Sequence, residues 1–148
     1  MTVHESYFPR LAADGYRITS DPSEEQNCIG HAAGRPGEWW DPAVDDVWPD
    51  SVPRDYTVDS LVAVFLTLGY ALCDSGTHEA GYEKIAIYSN GDEYTHAARQ
   101  LVDGSWTSKL GPDDDIEHPT PESLAGGTYG NVVRMLKRPI TEAGNTKG

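Results

Sequence analysis

The strongest constraint on the fold is a change of hydrophobic period at Gly69. Upstream, Val58, Leu61, Val62, Phe65, Leu66 and Leu68 recur at helical spacing after Thr57, predicting a core helix that Gly69 ends. Downstream the period falls to 2, the signature of strands. Tyr70–Cys73 reads as a strand, a polar loop covers Asp74–Gly81, and three strands then follow as a meander: Glu83–Ser89, Glu93–Leu101 and Ser105–Leu110. Asn90-Gly91 and Asp103-Gly104 are the turn signals between them. A short strand around Ile116 and an apolar segment Asn131–Leu136 complete the sheet. Helix followed by hairpin-linked strands predicts an α+β domain.

The rest of the chain adds to this frame. Met1–Gln26 is mixed, with Tyr7, Phe8 and Leu11 as apolar anchors that wrap the core. Asn27 or Ser23 caps a short helix from Cys28 to Ala33, ended by Gly34 and Pro36. Trp39, Trp40 and Trp48 stand among prolines and acids and predict an ordered aromatic loop. At 148 residues the chain holds one domain, residues 1–140, followed by a small polar tail at 141–148 expected to fray.

The net charge of −13, with 11 basic against 24 acidic residues, leaves no basic stripe for a polyanion, so nucleic acid is not an expected partner. No apolar run is long enough for a membrane span. The N-terminus lacks a secretory pattern, which makes the cytoplasm the expected compartment and reduced thiols the expected state of Cys28 and Cys73. Oligomeric state is not readable from the sequence.

Cys28 at a helix start and His96 far downstream are the minimal parts of a cysteine nucleophile site. A helix N-terminus and a neighbouring imidazolium both favour thiolate. With Asn90-Gly91 as a two-residue turn, Ser89 pairs with Asp92 and Ile85 faces His96. Ile85, Ile87, Tyr94, His96 and Ala98 then share the face on which helices pack, and the face of Lys84, Ala86, Tyr88, Thr95, Ala97 and Arg99 meets water. Pairing Val102 with Ser105 puts Thr107 and Lys109 on the His96 face and turns Ser108 away. His118, beside Ile116, is the candidate third catalytic residue, with Asp115 behind it. Trp39 and Trp40 are candidate walls of a substrate cleft, with Lys109 as a further substrate-binding residue. The alternative is that Cys28 and His96 are core residues of a non-catalytic interaction protein.

The segments Asn27–Gly34, Trp39-Trp40-Asp41-Pro42, His96-Ala97-Ala98-Arg99-Gln100 and Trp106–Gly111, followed by Asp115-Ile116-Glu117-His118, resemble an uncharacterised bacterial family over most of residues 8–139. More distantly, a cysteine on a helix start followed by a histidine on an antiparallel strand resembles the papain-like fold in its NlpC/P60 and CHAP forms. That resemblance implies a thiol hydrolase or acyl transferase acting on a peptide or a small amide or ester, with Cys28 as nucleophile and His96 as general base. Asn27-Cys28-Ile29-Gly30 only approximates the Asp-Cys-Ser-Gly type signature of those enzymes.

No cofactor or metal is expected. Cys28-x-x-His31 lacks the second close pair that a zinc site requires. Asp113-Asp114-Asp115 with Glu117 lacks the pattern of a calcium loop and reads as a turn. Gly126-Gly127-Thr128-Tyr129-Gly130 lacks the Lys-Ser/Thr of a phosphate loop and also reads as a turn.

Overall fold

A computed structural model describes residues 7–20, 26–35, 37–43, 46–110 and 115–140. The expectations placed on Ser23, on Asp113 and Asp114 and on the tail at 141–148 lie outside them. The described chain is α+β. Helices α1 (Leu11–Asp14), α2 (Cys28–Ala32) and α3 (Val58–Thr67) accompany strands β1 (Arg17–Ile18), β2 (Ala71–Cys73), β3 (Tyr82–Ser89), β4 (Tyr94–Gln100), β5 (Trp106–Lys109), β6 (Asp115–His118) and β7 (Asn131–Pro139). A 3-10 turn at Pro121–Leu124 precedes β7. All pairings in the one seven-stranded sheet are antiparallel, in the order β1-β6-β5-β4-β3-β7-β2. None of the described helices is long and apolar enough to cross a membrane.

Thr57 caps α3 by accepting from the Ser60 amide, and Gly69 follows it with φ +93°. Asn27 does the same for α2: its Oδ1 accepts from the Gly30 amide at 3.0 Å. The same Oδ1 accepts from the Trp40 amide at 3.0 Å, and Nδ2 donates to the Trp40 carbonyl at 2.6 Å. One buried amide therefore caps the helix and ties the aromatic loop to it. Gly30 lets the loop approach, since a Cβ there would collide with the Glu38 carbonyl.

The sheet is covered on both faces, whereas the sequence reading gave one face to water. On one side α2, α3 and the aromatic loop pack on Ile85, Ile87, Ala97 and Leu136. On the other, Phe8, Leu11 and Leu124 pack on Ala86, Tyr88, Ala98, Trp106 and Ile116. Of the three apolar anchors expected in the leading segment, Phe8 and Leu11 are buried, whereas Tyr7 is exposed.

The register of β3 with β4 corrects the expected one. Tyr88, not Ile85, pairs with His96, and Ile85 pairs with Arg99. Two departures from a two-residue turn produce this. The connection is four residues long, with Ser89 opposite Tyr94. Its backbone is claimed from outside the hairpin: the Asp92 carbonyl accepts from Val58 N, and Tyr94 N donates to Tyr56 O. The Ser89 hydroxyl donates to the carbonyls of Gly91 and Glu93. Thr95 is then an extra residue in β4, a bulge between the pairs Ser89–Tyr94 and Tyr88–His96. Two added turn residues preserve facing, and the third reverses it. His96 thus joins Ala86, Tyr88 and Ala98, and Ala97 takes the helix side.

The next hairpin also departs from expectation. Arg99 pairs with Thr107 and Gln100 with Trp106. Leu101 N donates to Ser105 O, and Gly104 has φ +93°, so the loop holds three residues rather than two. Thr107 and Lys109 consequently share the helix side with Arg99, and Ser108 shares the His96 side.

Candidate functional site

The residues singled out from the sequence divide between the two faces. Cys28 is half-buried at the start of α2 and packs with the cluster that contains Ala97. Desolvation pushes its thiol up to about 11, against a weaker lowering by the backbone amides of Ala97, Ile29 and Cys28 itself. Both cysteines are free thiols. His96 is fully buried on the far side of the sheet, its ring stacked on Tyr129 at 4.1 Å and edge-on to Tyr88 at 5.2 Å. Among the described residues neither ring nitrogen has a hydrogen-bond partner, and burial holds the imidazole well below its ordinary value, helped by the nearby His118 and His31. The thiol and the imidazole therefore lie on opposite faces, with the sheet between them.

Lys109 is buried beneath α2, in a polar group that the sequence did not announce. His31 Nε2 bonds Thr107 Oγ1 at 2.8 Å, and Asp115 lies 3.8 Å from His31 Nδ1 and 3.9 Å from Lys109 Nζ. Desolvation lowers the His31 imidazole, an effect that Asp115 opposes. Trp40 is in the core beside α2, its indole N–H donating to Glu38 at 2.8 Å, while Trp39 is partly exposed. Among the described residues no group of three or more His, Cys, Asp and Glu side chains could hold a metal ion.

His118 stands on the other side, at 2 % exposure. Its Nδ1 meets the Thr120 carbonyl at 2.8 Å, which accepts only, so Nδ1 carries the proton and donates. Nε2 then accepts from the Ser108 hydroxyl at 2.8 Å. Burial lowers this imidazole to about 4, so it is neutral at pH 7.

Thr120, which His118 holds by its carbonyl, lines a cleft of about 830 Å³. Its floor carries Trp106, Val132 and Met135; one wall is the loop 73–78 and the other is the segment 119–122. Both walls are tied to the sheet by buried polar side chains. The Lys84 ammonium, 1 % exposed, donates to the Ser75 carbonyl at 2.7 Å and pairs with Glu79 at 2.6 Å. Gln100 Nε2 donates to the Gly76 carbonyl at 3.0 Å. Gly76 lies flat on the floor, where a Cβ would come within 2.9 Å of Met135 and 3.2 Å of Trp106. On the opposite wall, Tyr88 Oη donates to the Pro121 carbonyl at 2.6 Å, and His118 holds Thr120. The cleft is therefore formed in advance of any ligand, an arrangement suited to binding because little ordering remains to be done.

A family model matches residues 17–137. The chain belongs to the family described as Domain of unknown function (DUF7689). No curated protein and no solved structure matches it. The matched span of the DUF7689 domain holds the whole sheet apart from Arg138 and Pro139, together with both walls of the cleft. Trp106 lies within the segment Trp106–Gly111, yet its role as floor is not legible in the sequence. The alternation of β5 shows that Trp106 faces a core, while the cleft depends on the remote loop 73–78, whose only sequence signal was its polarity.

Proposed function

We propose that this DUF7689 domain is a non-catalytic binding module that takes its ligand in the cleft over Trp106, with Cys28 and His96 as core residues of its two faces. The observation that carries the reading is the pinning of both cleft walls by Lys84, Gln100, Tyr88 and His118. Each spends a buried polar side chain on a loop carbonyl, a cost that a merely space-filling wall does not require.

The competing reading is a papain-like hydrolase or acyl transferase using Cys28 and His96. In its favour, α2 packs on β4 and β5, as the resemblance implies. Against it stand the opposed facing of the two side chains and a thiol whose burial disfavours thiolate.

Cys73 lines the cleft and supplies a direct test. In a Cys28→Ser variant, a set of small disulfide fragments bearing amide, amine, carboxylate and aromatic groups is equilibrated with the protein under competing 2-mercaptoethanol. Selective capture of some fragments over a mercaptoethyl control is expected. Uniform capture at the control level would remove the binding reading. Iodoacetamide kinetics decide the rival: Cys28 alkylation that is rapid below pH 8 and lost in His96→Ala would establish an activated thiol.

A further inference from the structure

The cleft over Trp106 carries one carboxylate on each wall. Asp74 stands on the loop 73–78 and Glu122 on the segment 119–122. Among the described residues neither carboxylate has a hydrogen-bond or ion-pair partner. The chain's own cations are turned elsewhere. Arg134 borders the cleft, yet it stands opposite Ile87 on the helix side of the sheet, and its guanidinium donates to the Val133 carbonyl. Lys84 and Lys137 share the cleft side, but both are held by Glu79. His78, the remaining basic side chain of the lining, packs against Gly104. Two unpaired carboxylates on facing walls of a concave site focus a negative potential, which the net charge of −13 reinforces.

A second, independent observation asks for a hydrogen-bond donor. Gln100 lines the cleft at 3 % exposure. Its Nε2 donates to the carbonyls of Gly76 and Gly104, which fixes the carboxamide and leaves Oε1 as its idle end. Among the described residues Oε1 has no donor. A buried acceptor without a donor is costly, and a ligand N–H supplies the missing partner. The floor adds apolar surface at Val132 and Met135. The carboxylates select positive charge, the amide oxygen selects an N–H, and the floor selects an apolar body. A protonated amine on a small apolar frame satisfies all three, and a volume of about 830 Å³ suits a ligand of that size.

We propose that the cleft binds a small organic amine in its protonated form, with the ammonium between Asp74 and Glu122, one N–H donated to Gln100 Oε1, and the apolar body on Val132 and Met135. This rests on the binding reading above and names its ligand class. The two carboxylates supply attraction from opposite walls. Gln100 separates an ammonium that carries N–H groups from a fully alkylated one.

The test uses Cys73, which lines the cleft, as reporter in the Cys28→Ser protein. Its alkylation by iodoacetamide is timed by mass spectrometry at low ionic strength with increasing phenethylamine, phenethyl alcohol, hydrocinnamate or phenethyltrimethylammonium. Phenethylamine is expected to slow alkylation at a concentration about tenfold below that of the alcohol, with the anionic hydrocinnamate weakest. In Asp74→Asn/Glu122→Gln the amine is expected to lose this advantage. Asp50→Asn/Asp59→Asn changes the net charge equally at exposed residues of the helix side, and is expected to keep it. Loss of the advantage in both double variants would assign it to the general field of the chain and overturn the site. Equal or better protection by the alcohol or the carboxylate would overturn the cationic class while leaving a ligand cleft. Protection by the trimethylammonium equal to that by the amine would overturn the bond to Gln100. Protection by none of the probes, with fragments still captured selectively at Cys73, would overturn the amine class. Failure of both probes and fragments would remove the binding reading itself.

Discussion

Replacing His96 by Phe separates a core histidine from a catalytic base, because the two roles respond oppositely to pH. The imidazole is fully buried, with both nitrogens unpartnered among the described residues, and titrates well below 6.5 in the folded protein. In the unfolded chain it titrates near the ordinary 6.5. Below that pH the unfolded state binds a proton that the folded state does not, so acidification destabilises the wild type. The stability is fully present above the unfolded value and is lost as pH falls toward the folded one. Each pH unit in that window costs about 1.4 kcal/mol, so between pH 7 and pH 5 the loss through His96 is about 2 kcal/mol. His96→Phe removes this linkage. At pH 7 relief of the unpartnered nitrogens, worth about 1–3 kcal/mol, roughly balances the larger ring pressed against Tyr129 and Tyr88, a cost of about 1–3 kcal/mol. The variant should then gain about 2 kcal/mol on the wild type between pH 7 and pH 5. Urea unfolding of both proteins at the two pH values, followed by the fluorescence of the four tryptophans, measures it. His31, His118 and the carboxylates titrate in both proteins and cancel. A stability difference that is the same at both pH values would refute the reasoning, since the folded protein would then protonate His96 freely and water would reach it.

Four other outcomes follow from contacts already described. Cys28, with its thiol raised to about 11, should react with iodoacetamide at pH 7 far more slowly than an ordinary thiol, and His96→Ala should leave that rate unchanged; peptide mapping after timed alkylation reads both. Asn27→Ala deletes the cap of α2 and two bonds to the Trp40 backbone, and should cost about 2–4 kcal/mol by urea unfolding. Lys84→Met removes the tether of Ser75 and one of the two lysine partners of the partly exposed Glu79, which keeps Lys137; a modest loss of about 1–3 kcal/mol is expected from the freed Ser75 carbonyl, with faster hydrogen exchange confined to residues 74–79. Ser108→Ala leaves His118 Nε2 without its donor in a buried site, which should cost about 1–3 kcal/mol.

Apart from α1, β1 and the 3-10 turn at Pro121–Leu124, which the sequence reading did not name, the elements were legible because each has a local cause. Thr57 and Gly69 bracket α3, Asn27 opens α2, and the period of two from Tyr82 onward marks β3 to β5. Facing was less legible, because it depends on counting residues through turns whose length is decided elsewhere. Asn90-Gly91 is a good two-residue turn in isolation, yet the Asp92 carbonyl accepts from the Val58 amide and the Tyr94 amide donates to the Tyr56 carbonyl, and these partners beyond the hairpin draw it open. The bulge at Thr95 has a tertiary cause as well, its hydroxyl donating to the Tyr129 carbonyl at 2.6 Å. The segments Asn27–Gly34 and His96–Gln100 are partly explained by packing: Asn27 and Gly30 fit the aromatic loop, and Ala97 and Ala98 sit opposite Ile87 and Ala86 at the centre of the sheet. The cleft was hidden because it is assembled from residues 73–78, 100–106, 119–122 and 132–135, which only the folded chain brings together.

The position of β7 sets the order in which the chain is able to fold during synthesis. β7 lies between β2 and β3, so β2 has no neighbour in the sheet and β3 has one open side until residues 131–139 have emerged. The hairpins of β3, β4, β5 and β6 are able to form earlier, being local. A ribosome paused before Asn131 would therefore display a nascent chain with the long apolar edge of β3 bare. Such an edge is the kind of surface chaperones shield and other nascent chains capture. Completion of this sheet waits on a pairing between residues about 50 positions apart, so β7 acts as its latch among the described strands.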